Sequence, residues 1–337
     1  MPDSPPVPVP AAAPPPAPEF ARFRDKLAAG YAAHPPLAGL PVAERRRIAE
    51  QVRAPFAAGA PPMHDTRTLV LDHAGHRLRL RVHRPVLRPD AAMLYLHGGG
   101  WTLFSLDTHD RLMREYAARS GLAVIGLDYS LVPEIRFPVP VLEAVAAIRA
   151  LRSPAHAAAL GFDPSALPLA VGGDSAGGNL ALAAVLALRD VADPAQGAAP
   201  SALLLNYAVV APPDPALPSY ALFDGPDYTL SAAEMHAFWD GYCPDPDARA
   251  DPRASPIRGA LRGLPPTLLH VAECDVLRDE NLLLAAALRD AGVSARTVVW
   301  PGAVHSFLEA VSVAPLAGRA LDDAAAWLRQ TLVSPPS

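Results

Sequence analysis

Cysteine is scarce in this chain. Two in 337 residues, Cys243 and Cys274, exclude a disulfide-stapled scaffold. Lysine is scarcer still: of 29 basic residues only Lys26 is a lysine, and the net charge is −5. That balance excludes the basic surface of a typical nucleic-acid binder. Twenty-two glycines are too few for a collagen period. No apolar run reaches the ~18 residues of a membrane span; Leu180–Leu188 is among the longest and stops at Arg189. The N-terminus lacks the basic start and apolar stretch of a secretory signal. The expectation is a cytoplasmic protein with reduced cysteines, no nucleic-acid partner and no membrane span. Neither H-E-x-x-H nor paired Cys/His spacing occurs, so no metal and no cofactor are expected.

Proline is in excess, with 40 residues where roughly 5% is usual. Nine fall in residues 1–18. Proline fixes φ and lacks a donor, so this stretch reads as a mobile, extended tail. Residues 334–337 read as a second, short tail. Residues 19–60 carry helical spacing, with Phe20, Phe23, Leu27 and Tyr31 on one stripe and a second helix near Val42–Phe56. They form the expected N-terminal cap helices. Arg77–His83 alternates Leu78, Leu80 and Val82 with arginines, the pattern of a strand with one solvated face.

Residues 61–333 form the expected catalytic domain. Apolar strands are predicted at Met93–His97, Val124–Asp128, Leu169–Gly173, Leu203–Tyr207, Leu268–Ala272 and Arg296–Trp300, with helical stretches between them. Alternating β and α implies a mostly parallel sheet with helices on both faces. Residues 211–255 interrupt the alternation with eight prolines and one helical stretch, Ser231–Tyr242. An insert of that length in a compact α/β domain is usually a lid or a binding segment.

Gly173-Asp-Ser-Ala-Gly177 follows a strand and opens a helix. That context fits a nucleophile elbow, in which flanking glycines allow the sharp turn that presents the serine hydroxyl. His97-Gly-Gly-Gly-Trp101 follows an earlier strand. Consecutive glycines free backbone N–H groups to face an oxyanion. A nucleophilic serine needs a base and an orienting acid, in the chain order Ser, acid, His. His305 lies in the loop after Arg296–Trp300 and is the candidate base. His270 sits within a core strand and reads as a satisfied core histidine, while His236 falls in the insert. Asp275 is the first candidate acid and Glu273 the second; Asp279 and Glu280 read as helix-capping acids. Trp101 and Phe104 beside the glycine turn, with Asp174 and Tyr207, are candidate pocket residues.

Together these segments resemble the hormone-sensitive-lipase family of α/β-hydrolases. The motifs that carry the likeness are His97–Trp101, Asp128–Glu134, Gly173–Asn179, Asp275–Glu280 and His305–Phe307. Leu106–Arg114 and Pro301-Gly302 are similar to bacterial acetyl esterases within that family. The resemblance implies an α/β-hydrolase fold with a helical cap built from the N-terminal helices and the insert. It implies Ser175 as nucleophile, Asp275 as acid and His305 as base. Oxyanion donors would come from Gly98, Gly99, Gly100 and Ala176. Asp128–Glu134 would buttress the glycine turn. One departure is Val276, where the family often has proline. The expected reaction is hydrolysis of short-chain acyl esters through an acyl-serine, on a small-molecule ester, by a monomer or homodimer. An amidase or formamidase would use the same triad, and a non-catalytic ligand-binding member would lack its histidine, which is present here.

Overall fold

The computed structural model describes residues 13–190 and 199–333. Eight strands form one sheet: β1 (Asp65–His73), β2 (His76–Arg84), β3 (Ala92–Leu96), β4 (Ala123–Asp128), β5 (Leu169–Asp174), β6 (Ala202–Asn206), β7 (Thr267–Cys274) and β8 (Ala295–Val304). Their spatial order is β1-β2-β4-β3-β5-β6-β7-β8. β1 pairs β2, and β2 pairs β4, antiparallel; every later pairing is parallel. β3, β5 and β6 are buried along their whole length. Their unbroken apolar runs are what a strand covered on both faces requires.

β1 has no counterpart among the expected strands. It is an edge strand with alternating burial, rich in Thr, Arg and Asp, so its apolar signal is half that of a central strand.

The helices are α1 (Pro18–Ala32), α2 (Val42–Ala57), α3 (Asp110–Ser120), α4 (Val139–Leu151), α5 (Ala157–Leu160), α6 (Ala176–Arg189), α7 (Pro218–Leu222), α8 (Ala232–Tyr242), α9 (Arg278–Asp290) and α10 (Pro315–Leu332). α3 packs on α10 and α4 on α6. In the insert, α8 starts at a capping box in which Ser231 and Glu234 satisfy each other's backbone N–H groups. α1 buries Phe20, Phe23 and Leu27, and α2 buries Ile48, Val52 and Phe56. Phe23 meets Phe56 edge to face, and Phe20 meets Phe307 just beyond His305. Each such ring contributes about 1.5–3 kcal/mol of burial. α1 and α2 are thereby seated on the segment that carries the candidate base.

The expectation of a mobile tail over residues 1–18 needs correction at its C-terminal end. Residues 1–12 and 334–337 lie outside the described residues. Residues 13–17 pack on the fold. The Ala17 N–H donates to the Gly302 carbonyl at 2.9 Å, and the Cys274 thiol donates to the Pro14 carbonyl at 3.4 Å. Pro18 opens α1, where the missing N–H costs nothing. A proline cannot donate, but its carbonyl still accepts, and Pro14 is used in that way.

Candidate active site

β5 ends at Asp174 and α6 begins at Ala176, so Ser175 occupies the turn between them. Its φ of +52° is a strained value for a side-chain-bearing residue. The surroundings hold it there: its N–H donates to Asn206 O, and its carbonyl accepts from Asn179 and Val209. Only glycine fits on either side. A Cβ on Gly173 would lie 2.5 Å from the Gly177 backbone, and one on Gly177 would lie 2.0 Å from Leu96 O.

β7 and β8 carry the other two groups to this edge. The His305 Nε2 is 2.9 Å from Ser175 Oγ, and its Nδ1 is 2.7 Å from Asp275 Oδ2. A carboxylate only accepts, so Nδ1 carries the proton and Nε2 presents a lone pair to the serine hydroxyl. Asp275 also accepts from the Leu277 N–H. Glu273, the second candidate acid, accepts instead from the Gly302 N–H at 2.7 Å. The Thr229 hydroxyl, from the insert, donates to the His305 carbonyl at 2.7 Å.

The glycine turn after β3 faces Ser175. The Gly98 N–H donates to Asp174 Oδ1 at 3.2 Å, so that amide is occupied. The amides of Gly99, Gly100 and Ala176 have no hydrogen-bond partner among the described residues. Gly99 has φ +112°, and a Cβ there would lie 2.3 Å from Leu103 O. The Tyr129 hydroxyl donates to His97 O at 2.8 Å, and the Val132 N–H donates to Trp101 O. Arg46 of α2 holds Glu134 with two hydrogen bonds and also donates to the Thr102 and Val132 carbonyls. The Asp128–Glu134 segment therefore supports the turn and is tied to α2.

A cavity of about 550 Å³ opens on Ser175, His305, Gly99 and Gly100. Trp101 and Phe104 line it; Trp101 is stacked on Tyr242 at 4.1 Å. Asp174 and Tyr207 do not line it, contrary to expectation. Asp174 is turned into the protein behind the glycine turn, where the Tyr95 hydroxyl donates to it. The Tyr207 ring packs on His305 at 5.1 Å as a fully buried prop. His270 is a core histidine, 3.2 Å from Asp323. Glu280 accepts from the Val210 N–H and the Tyr220 hydroxyl, and Asp279 accepts from the Ser219 N–H. Both acids anchor the chain after β6 as well as opening α9.

Several residues at the site gave a weaker signal. Tyr31 of α1 and Arg53 of α2, and Met235 and Phe238 of residues 211–255, line the cavity. Arg53 lies on the buried stripe of α2 with Ala49, Val52 and Phe56; a charge on an apolar stripe was its only mark. It is 7% exposed and pairs with Glu309 at 2.9 Å, and its guanidinium lies over the Phe104 ring at 4.8 Å. His109, fully buried, faces Asp174 at 3.3 Å. His97 is stacked on Tyr129 at 4.4 Å. Burial, with His109 nearby, pushes the His97 pKa down to about 4.

Fold and site together define an α/β hydrolase with a serine–histidine–aspartate arrangement. The α/β-hydrolase-fold family matches residues 93–309, and the chain belongs to that family, in its hormone-sensitive-lipase branch. It is 35% identical over 306 residues to an ethyl acetate hydrolase of Pseudomonas putida, a match spanning 88% of this chain and 93% of that protein. It is 33% identical to an acetyl esterase of Salmonella paratyphi B, over 82% of this chain and 84% of that protein. Among solved structures, a hyperthermophilic esterase of the archaeon Pyrobaculum calidifontis superposes with a TM-score of 0.83 at 32% identity, covering 94% of this chain and 99% of that one. No described helix is long and apolar enough to cross a membrane.

Proposed function

We propose that the protein is a serine carboxylesterase that hydrolyses short-chain acyl esters. The observation that carries this reading is the continuous hydrogen-bonded chain from Ser175 through His305 to Asp275. Ser175 Oγ attacks the ester carbonyl, and its proton passes to His305 Nε2. Asp275 holds the ring in the tautomer that can receive it. The oxyanion is met by N–H groups of Gly99, Gly100 and Ala176; Gly98 is assigned to Asp174 instead. The imidazolium then protonates the leaving alkoxide. Water, deprotonated by His305, attacks the acyl-serine, and the acid leaves with the serine proton restored.

The acyl side is assigned to the narrow space beside the glycine turn. A Cβ on Gly100 would meet the Phe238 ring at 2.3 Å, and one on Gly99 would meet the Phe104 ring at 2.8 Å. Two rings close on the turn, which supports a short acyl group. The rest of the cavity, within the roughly 300–1,000 Å³ of small-molecule sites, is left for the alcohol. Residues 19–60 and 211–255 act as the cap, a reading supported by the walls both contribute to this cavity.

The test is hydrolysis of p-nitrophenyl esters of increasing acyl length. Ser175→Ala is expected to lower kcat by roughly 10⁶, by analogy with the loss of a triad serine in a protease. Retained activity would overturn the assignment. Phe238→Ala is expected to move the acyl optimum to longer chains, each added methylene gaining about 0.8 kcal/mol.

A further inference from the structure

We propose that His109 is a positioning residue held as an imidazolium at neutral pH, and that its charge keeps the glycine turn docked on Asp174. The inference rests on the reading of Gly99 and Gly100 as oxyanion donors.

Charge balance along a buried row of ionisable groups carries the charge assignment. The Thr108 hydroxyl lies 2.9 Å from Ser105 O, and its oxygen accepts from the Ser105 N–H. Thr108 lies 3.0 Å from His109 Nδ1 and can accept a hydrogen bond from that nitrogen while giving its own proton to Ser105 O. The other nitrogen, Nε2, faces Asp174 Oδ2 at 3.3 Å, and a carboxylate only accepts. The site thus offers an acceptor to each ring nitrogen, as a cation needs.

The surroundings match. Ligand atoms of His109, Asp174 and Glu309 lie within 4.8 Å of one another, and Glu309 is paired on its other side with Arg53. Signs alternate along this buried row: Arg53, Glu309, His109, Asp174. Burial by itself would lower the pKa of His109, but the charge and hydrogen bond of Asp174, helped by Glu309, outweigh burial and the opposing Arg53 and raise it. His97 in the glycine turn and Glu50 of α2 complete the titratable groups around the ring. His97 donates from Nδ1 to Gly98 O and stays neutral, so it adds no competing cation.

The consequence lies one residue from the nucleophile. Asp174 Oδ1 receives the Gly98 N–H and the Tyr95 hydroxyl. Its charge, uncompensated, would oppose the oxyanion forming at Ser175. The imidazolium cancels that charge while orienting the carboxylate that fixes the turn. Activity that depends on protonated His109 is present at neutral pH and lost as pH rises through its raised pKa.

Two measurements on the full chain test this. Nitrogen-15 NMR of the histidine rings, assigned with His109→Gln, is expected to show His109 protonated on both nitrogens at pH 7 and His97 on one. A neutral His109 ring would overturn the proposal. With p-nitrophenyl acetate, His109→Gln is expected to lower kcat about 10–100-fold, the scale of an ångström misplacement, with KM little changed and the alkaline loss of kcat removed. His109→Lys is expected to recover part of kcat. An unchanged kcat and pH profile, with only Tm reduced, would mark the residue as merely structural. Should His109→Gln not fold, Asp174→Asn provides the NMR readout: His109 is expected to become neutral at pH 7, and a ring still doubly protonated would refute the pairing. Labelling of Ser175 by a fluorophosphonate separates this outcome from the esterase reading, because an unreactive wild-type serine would count against the latter alone.

Discussion

Two histidine–aspartate pairs flank the same serine, and they are built for opposite purposes. In Asp275–His305 one ring nitrogen faces a carboxylate and the other a hydroxyl whose proton is available. In Asp174–His109 one nitrogen faces a carboxylate and the other a hydroxyl able to accept from it, with Glu309 close by. The first ring presents a lone pair to its serine, and the second sits in a buried row of charged groups that favours a proton on both nitrogens. Residue types are identical in the two pairs, so the difference comes from the charges packed around each ring. One pair moves a proton at the ester; the other supplies a fixed charge behind the glycine turn.

The largest expected effect separates the pairs directly. Asp275→Asn should lower kcat by about 10⁴, as loss of the orienting acid does in the best-studied triad, measured as steady-state hydrolysis of p-nitrophenyl acetate. Asp174→Asn should cost less, about 10²-fold, because it displaces donors without touching the transferred proton. Equal losses at the two positions would erase the distinction.

A third buried acid sharpens the comparison by lacking a cation. Among the described residues Glu280 receives only neutral donors, including the Val210 N–H and the Tyr220 hydroxyl, and burial pushes its pKa up to about 8 against those hydrogen bonds. Asp174, equally buried but facing His109, is held below its ordinary value. For Glu280 the folded state binds the proton more tightly than the unfolded chain. Stability should therefore fall as pH rises from about 4.5 to 8, by at most roughly 1.4 kcal/mol per pH unit. Urea unfolding at pH 5, 6.5 and 8 would show this slope, and Glu280→Gln should flatten it. A slope unchanged in the variant would remove Glu280 as its source.

Much of the fold was legible because its central strands are apolar throughout and its punctuation is glycine. Ser175, His305 and the glycine turn sit at strand ends, where strand signal, glycine and chain order coincide. β1 was missed because half its residues face water. Asp174 was misread as a pocket residue because adjacency to Ser175 does not reveal which way a side chain turns. At β5 successive side chains point to opposite faces, and the one before the nucleophile goes inward. The choice between Asp275 and Glu273 is likewise expressed in three dimensions, where Gly302 takes one carboxylate and His305 the other.

By itself the sequence determined the α/β class, the elbow, the glycine turn and the order of serine, acid and base. These follow from local rules: periodicity, glycine's access to tight turns and the reach of neighbouring loops. Only the tertiary structure decided which glycine amides remain free, which acid meets His305, and that Arg53, Glu309, His109 and Asp174 form one row. Those residues come from distant parts of the chain, Arg53 and Glu309 being 256 positions apart. Burial makes their pairing obligatory, since an unpaired charge in the core is too costly to persist. No local pattern encodes which partners a fold will bring together to meet that demand.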